Sequence, residues 1–223
     1  MAKIGVILSG CGVYDGSEIY ESTITLLALD RAGAEVLIMA PDTEQQVVNH
    51  LTGEVVEGAT RNVLEESARI ARGNIIDIAK VSADNIDGLF LPGGFGAAKN
   101  LCDFAFKGPD CEVNPEVARL IRDIVAGGKP LAAVCIAPAV LAKVLGSDMP
   151  QVEMTIGTDE GTAGAMTAMG VRHINCPVTE CVIDKERKII TSPAYMLAGR
   201  ISEAAEGIEK TVAAFMNMVE AQR

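Results

Sequence analysis

Residues Leu131–Ala142 read LAAVCIAPAVLA. An apolar run of strand length passes through a single cysteine into a run of good helix formers, with small residues on either side. The stretch reads as a buried strand, KPLAAVC, handing over to a helix, IAPAVLAKVLG. The same alternation continues on both sides of it. KIGVILS precedes a helix predicted over about 17–32, AEVLIMAP returns as a strand, and IDGLFLPGG is another buried strand ending in Gly93-Gly94. NPEVARLIRDIVAGG carries its own boundaries, with Asn114 as N-cap, Pro115 in the first turn and Gly127-Gly128 as the stop. Near-continuous apolar strands between helices indicate an α/β fold whose mostly parallel sheet is covered on both faces.

Three segments depart from that rhythm. PVTECVIDKERKIITSP sets the polar Asp184-Lys185-Glu186-Arg187 between two β-rich runs, which predicts a hairpin on a sheet edge. Tyr195 to Val219 reads as one long closing helix. The section at about 41–81 is less regular; it holds a helix around Val63–Ala71 and reads as an insertion elaborating a single domain over 1–223.

With 223 residues, the chain is long enough for one sizeable α/β core. Hydrophobic residues at 49% and charged residues at 22% are ordinary for a globular chain and exclude disorder. A net charge of −11 repels phosphate backbones and anionic lipid, so neither nucleic acid nor a membrane surface is expected as a partner. No apolar run approaches the ~20 residues of a membrane span, and Met1-Ala2-Lys3 runs straight into the first strand with no secretory pattern. The expected location is the cytoplasm. There the six cysteines (Cys11, Cys102, Cys111, Cys135, Cys176, Cys181) would be free thiols. No pair has C-x-x-C spacing and the only histidines are His50 and His173, so a structural metal site is not expected.

Open α/β sheets build their sites at the carboxyl ends of strands. Three strand ends carry unusual residues: LSGCGVYDGSE, LFLPGGFGAAKN and LAAVCIAPAV. A thiol at Cys135, on a strand-to-helix turn, would lie near the positive end of a helix dipole, which lowers a thiol pKa. The alanines around it let strand and helix approach closely, as a nucleophile elbow requires. Taken alone, Cys135 fits an inert packing cysteine better. Gly93-Gly94 allows backbone N–H groups to turn toward an oxyanion, although alone it fits a tight turn. Glu21 falls at the margin of the apolar face of its helix, with Glu18 and Thr25 on the polar side; a carboxyl pushed inward could exchange a proton with a thiolate. Gly10-x-Gly12 looks like part of a dinucleotide loop, but Gly16 is out of step and Asp15, Glu18 and Glu21 would repel a pyrophosphate. Cys11 is a candidate for the pocket rim. His50, in the irregular section, is a better candidate base than His173.

The combination of Glu21, LPGGFGAAKNL and AAVCIAPA resembles the ThiJ/PfpI superfamily, which has the class I glutamine-amidotransferase-like fold, a three-layer α/β/α sandwich. More narrowly, GVILSGCGVYDGSEIYE, VVNHLTGE, RNVLEESARIARG, TIGTD and TSPAYM are similar to the ElbB family of glyoxalases and isoprenoid-biosynthesis proteins with an amidotransferase-like domain. The likeness runs from Ile4 to about Val219. It implies Cys135 as nucleophile, Glu21 as its carboxyl partner, and the N–H groups of Gly94 and Ile136 as the oxyanion hole. It also implies a homodimer and a cofactor-independent conversion of glyoxal to glycolate, or the related removal of aldehyde adducts from proteins. Where glyoxalase and deglycase members place a histidine about twenty residues past the cysteine, this chain reads VEMTIGTDEG. Where glutamine amidotransferases place His-x-Glu, it has Pro193-Ala194-Tyr195, which argues against a glutaminase. The lack of a positioned histidine favours the alternative, a non-catalytic redox-responsive or regulatory protein acting through an exposed, reactive Cys135.

Overall fold

A computed structural model describes residues 1–222. Its centre is a seven-stranded sheet. In chain order the contributing strands are β1 (Lys3–Ile7), β2 (Glu35–Ala40), β5 (Ile76–Asp77), β6 (Gly88–Leu91), β7 (Leu131–Val134), β10 (Val182–Asp184) and β11 (Ile189–Ser192). They lie side by side as β10-β11-β7-β6-β1-β2-β5, with every pairing parallel except that of β10 with β11. Eight α-helices accompany the strands: α1 (Ile19–Arg31), α2 (Val63–Ile70), α3 (Phe95–Lys99), α4 (Phe104–Lys107), α5 (Pro115–Ala126), α6 (Pro138–Leu145), α7 (Glu160–Ala168) and α8 (Ile201–Glu220).

The sheet is buried on both faces because successive strand residues feed opposite layers. Ile7, Leu89, Leu91, Leu131 and Ala133 join one core with residues of α5 and α6. Val6, Leu8, Phe90, Ala132 and Val134 join the other with α1 and α8. Phe215 of α8 is fully buried and meets Phe90 edge-on, at 84° and 5.8 Å between ring centroids. Losing that ring removes a large apolar area and leaves a cavity between α8 and the sheet. Phe215→Ala should therefore cost about 3–5 kcal/mol of stability in denaturant unfolding. A loss below about 1 kcal/mol would mean that this ring does not anchor the helix.

The predicted hairpin forms at the sheet edge, closed by the Arg187 N–H donating to Asp184 Oδ1 at 3.0 Å. The closing helix starts later than the sequence reading places it. Ala194–Met196 form a 3-10 turn, Ala194 has φ 43°, and regular helix begins at Ile201. The Glu203 carboxylate reaches back to accept from Gly199 N at 3.0 Å, tying the preceding loop to the first turn of the helix.

Residues 41–81 are more ordered than their sequence suggests. β3 (Glu44–Val48) and β4 (Val55–Asn62) pair antiparallel in a separate hairpin, α2 follows with Asn62 as N-cap, and β5 joins the edge of the main sheet. β4 is polar and largely exposed, so it lacks the apolar alternation that reveals a strand. A further short parallel pair joins β8 (Glu153–Met154) to β9 (Arg172–His173).

From β1 the chain passes outward through β2 on one side, while β6 and β7 occupy the other side. The loops after β1 and β6 therefore diverge at the carboxyl ends of adjacent strands. Such a switch point opens a crevice in this kind of sheet.

Candidate active site

Cys135 ends β7 on a backbone turn with φ 62°, a left-handed conformation that costs energy in a residue with a Cβ. Its N–H donates to Ser192 O at 3.0 Å, tying the turn to the end of β11. Its sulfur accepts from the Gly94 and Ile136 N–H groups. Gly94 has φ 99°, and a Cβ there would strike the backbone of Gly16, Ser17 and Glu18. At Gly93 a Cβ would run into Cys135 itself and into the Glu21 carboxylate. Glycines at both positions are thus required by close approach as well as by backbone conformation.

Glu21 reaches this point from the first turn of α1. Its backbone N–H donates to Glu18 Oε2 at 2.6 Å, the N-cap contact that starts the helix. The Glu21 side chain is fully buried. Oε2 accepts from Gly93 N and Oε1 from Tyr195 N, both at 3.0 Å, and the carboxyl also hydrogen-bonds to the Cys135 thiol. Burial raises its pKa to about 7, the nearby Glu18 charge adding to the rise while the hydrogen bonds oppose it.

One expectation is overturned here. Cys135 was expected to have a depressed pKa, yet its thiol is held well above the ordinary value. Burial is the largest cause and the Glu21 charge the second, and together they outweigh the N–H groups of Gly94 and Ile136. The first residue of α6 is Pro138, so Cys135 sits in the turn before the helix instead of in its first turn. The resting state is a thiol beside a carboxyl that titrates near neutrality.

Cys135 opens into a cavity of about 420 Å³. Val13, Phe95, Ala98, Phe104, Ile136 and Met196 supply its apolar walls, and Glu18, Asp159, Thr162 and Tyr195 its polar groups. Neither histidine lines it. His50 lies against Tyr14, with 5.0 Å between ring centroids; its Nε2 accepts from Tyr14 N and its Nδ1 pairs with Val48 O. Cys11 also lies outside the lining, in the neighbourhood of Glu66, Arg69 and Asp15. The placement of His50 and Cys11 at the pocket is therefore corrected: His50 follows β3 and packs on Tyr14, and Cys11, within the loop after β1, lies by Glu66 and Arg69 of α2. His173 accepts from Ile156 N at 3.2 Å.

Thr25 is likewise not on a solvent face but fully buried, because α8 packs along α1. Tyr195 is the main participant that the sequence did not reveal: it acts on Glu21 through a backbone N–H, which carries no side-chain signature. Cys102 and Cys111 neighbour each other away from this cavity, the Cys102 thiol donating to Ala97 O at 3.4 Å. Among the described residues, no group of three or more His, Cys, Asp or Glu could hold a metal ion, and no helix is long and apolar enough to cross a membrane.

A mostly parallel sheet with a cysteine on the turn after β7, facing a carboxyl from α1, defines the class. The chain belongs to the DJ-1/PfpI family, whose model matches residues 11–194. Within it the chain is ElbB-like. It is 46% identical over 217 residues to human glutamine amidotransferase-like class 1 domain-containing protein 3, mitochondrial, covering 93% of this chain and 80% of that protein. The ES1 protein, mitochondrial, of Danio rerio is 32% identical over 211 residues, covering 87% of this chain and 77% of that protein. Among solved structures, an isoprenoid biosynthesis protein with amidotransferase-like domain from Ehrlichia chaffeensis superposes with a TM-score of 0.89 at 38% identity, covering 96% of this chain and 99% of that one. Drosophila melanogaster DJ-1beta, at 21% identity and a TM-score of 0.58 over 99% of this chain and 95% of that one, shares the fold.

Proposed function

We propose that the protein is a cysteine-dependent glyoxalase that converts glyoxal to glycolate. The observation that carries this reading is the buried Glu21 carboxyl on the Cys135 thiol, with two backbone N–H groups aimed at the same sulfur. A base is most useful when its pKa lies near the working pH, and Glu21 sits at about 7. The Glu21 carboxylate takes the thiol proton as sulfur attacks one aldehyde carbon. The oxyanion so formed faces the Gly94 and Ile136 N–H groups and receives the proton, giving a hemithioacetal. Glu21 then moves the proton on that carbon to its neighbour through an enediol, leaving the thioester of glycolate. Water releases glycolate and restores the thiol. One carbon is oxidised and the other reduced, so glyoxal and water balance the product. Acid–base and oxyanion contributions, each on the order of 10² to 10³ in rate, are enough for a reactive aldehyde. The same steps would act on aldehyde released from protein adducts.

The redox-responsive alternative needs an exposed and readily ionised thiol. Cys135 is only 7% exposed and its pKa is raised, which disfavours that role. All six cysteines are free, which suits a reducing compartment such as the cytoplasm, while the names of two relatives carry the word mitochondrial. The direct check is proton NMR of purified protein with glyoxal. Glycolate should accumulate as glyoxal hydrate disappears. Peroxide-sensitive Cys135 with no glycolate formed would favour the regulatory alternative.

A further inference from the structure

A second cavity, of about 280 Å³, lies between the loop after β1, strand β3 and the ends of α3 and α4. It shares no lining residue with the cavity over Cys135. Two of its wall residues are buried polar side chains with unmet hydrogen-bonding capacity. Gln45 is 4% exposed, and neither its Oε1 nor its Nε2 has a partner among the described residues. Asp15 is 3% exposed; Oδ2 accepts from Val48 N at 2.8 Å, but Oδ1 is without a partner there. Gly10 and Gly12, both at left-handed φ, make room for this pair. A Cβ at Gly10 would strike Gln45 Oε1, and one at Gly12 would strike the His50 ring and press on Asp15 Oδ1. The two glycines that look like part of a dinucleotide loop thus serve Gln45 and Asp15 instead.

Burying an amide or a carboxylate without a partner destabilises a fold, and an apolar residue of the same size would relieve it. The local charges point to a cation as the partner. His50 Nε2 stands 3.9 Å from Asp15 Oδ1, but it accepts from Tyr14 N and so has no proton to offer. The Lys99 ammonium donates to Tyr14 O at 2.8 Å, and Arg61, opposite Gln45 across the hairpin, pairs with Glu66. Glu44 adds a second carboxylate to the wall, and Phe106 an exposed aromatic ring. At ~30 Å³ for each water-sized group the cavity has room for about nine, more than a bare ion fills. Nor is a metal ion suited to it, since no group of three or more ligating side chains occurs among the described residues.

We propose that this cavity binds a small organic cation with N–H donors, an alkylammonium or alkylguanidinium, through Asp15 and Gln45. The cation's N–H groups supply the donors that Asp15 Oδ1 and Gln45 Oε1 lack, and its charge offsets the buried carboxylate. The site is independent of the chemistry at Cys135 and stands or falls apart from it.

Agmatine, which carries both an ammonium and a guanidinium, is the probe. It is titrated into the wild-type protein in about 150 mM salt, which screens diffuse attraction to the acidic chain. Calorimetry should give a Kd tighter than about 1 mM, and the Gln45 side-chain amide peaks should shift in ¹H–¹⁵N NMR. Tetramethylammonium, a cation without N–H donors, should bind at least about tenfold more weakly. Asp15→Asn keeps an acceptor for Val48 N but removes the charge, and should weaken agmatine at least about tenfold. Gln45→Met replaces the unpartnered amide with an apolar chain of similar length. It should raise the urea midpoint of the free protein while weakening agmatine at least about tenfold. Absence of agmatine binding would overturn the inference. So would equal binding of tetramethylammonium, or binding indifferent to both substitutions, since either means diffuse attraction to a chain of net charge −11. A lowered urea midpoint in Gln45→Met with agmatine binding unchanged would make the amide purely structural and overturn it as well.

Discussion

Cys135→Ala protein should consume glyoxal at least 10³-fold more slowly than wild type, on the order expected when a covalent nucleophile is removed. The comparison isolates chemistry because alanine inherits the same backbone constraint. Position 135 is held at φ 62°, where cysteine and alanine both carry a Cβ and incur a similar strain. The residue is small and 7% exposed, so deleting one sulfur leaves little void. Circular dichroism melting should confirm that the variant folds. Cys135→Ser is the useful companion: it restores a hydrogen-bonding group beside Glu21 but supplies an alcohol far harder to deprotonate. Its rate should stay close to that of the alanine variant. Wild-type turnover by Cys135→Ala would end the covalent mechanism outright, since the described lining of the cavity contains no other thiol.

Most of what places this cysteine could be read along the chain. Leu131–Val134 is short, apolar and followed by helix formers, so the strand, the turn and α6 follow from local composition. Gly93-Gly94 marks the neighbouring strand end because its glycines are demanded by contact, and such a demand leaves a trace in the sequence. The protonation state of Cys135 could not be read this way. A helix start downstream suggests a lowered pKa, but the outcome depends on how tightly α1 and the β6 loop close over the sulfur, and that closure is tertiary. The wheel of α1 failed at Thr25 for a similar reason: α8 returns from the far end of the chain to cover a face that looks solvated in isolation. His50 misled in the opposite way, since its irregular segment folds into a hairpin that carries the imidazole behind Tyr14.

Glu21→Gln should separate two consequences of burying one carboxyl. If the carboxylate is the base, wild-type kcat/KM climbs with pH and levels off above a pKa of about 7, falling tenfold per unit below it. The glutamine variant should run roughly 10² to 10³-fold slower at pH 8 and lack that limb. Glutamine offers one acceptor where Glu21 offers two, so either Gly93 N or Tyr195 N loses its partner, and a fixed stability cost is expected at every pH. The pH-dependent part differs in kind. Burial lifts the folded-state pKa from 4.5 to about 7, so the folded protein holds this proton more tightly than the unfolded chain does. The stability that the group contributes is therefore full below about 4.5 and is lost as pH rises through about 7. The shift corresponds to roughly 3 kcal/mol. Denaturant unfolding at pH 5 and pH 8 should show wild type losing up to roughly that much more than Glu21→Gln over the interval. Parallel losses in the two proteins would mean that Glu21 ionises like an ordinary carboxylate despite its burial, and the activity limb should then move below pH 5 with it.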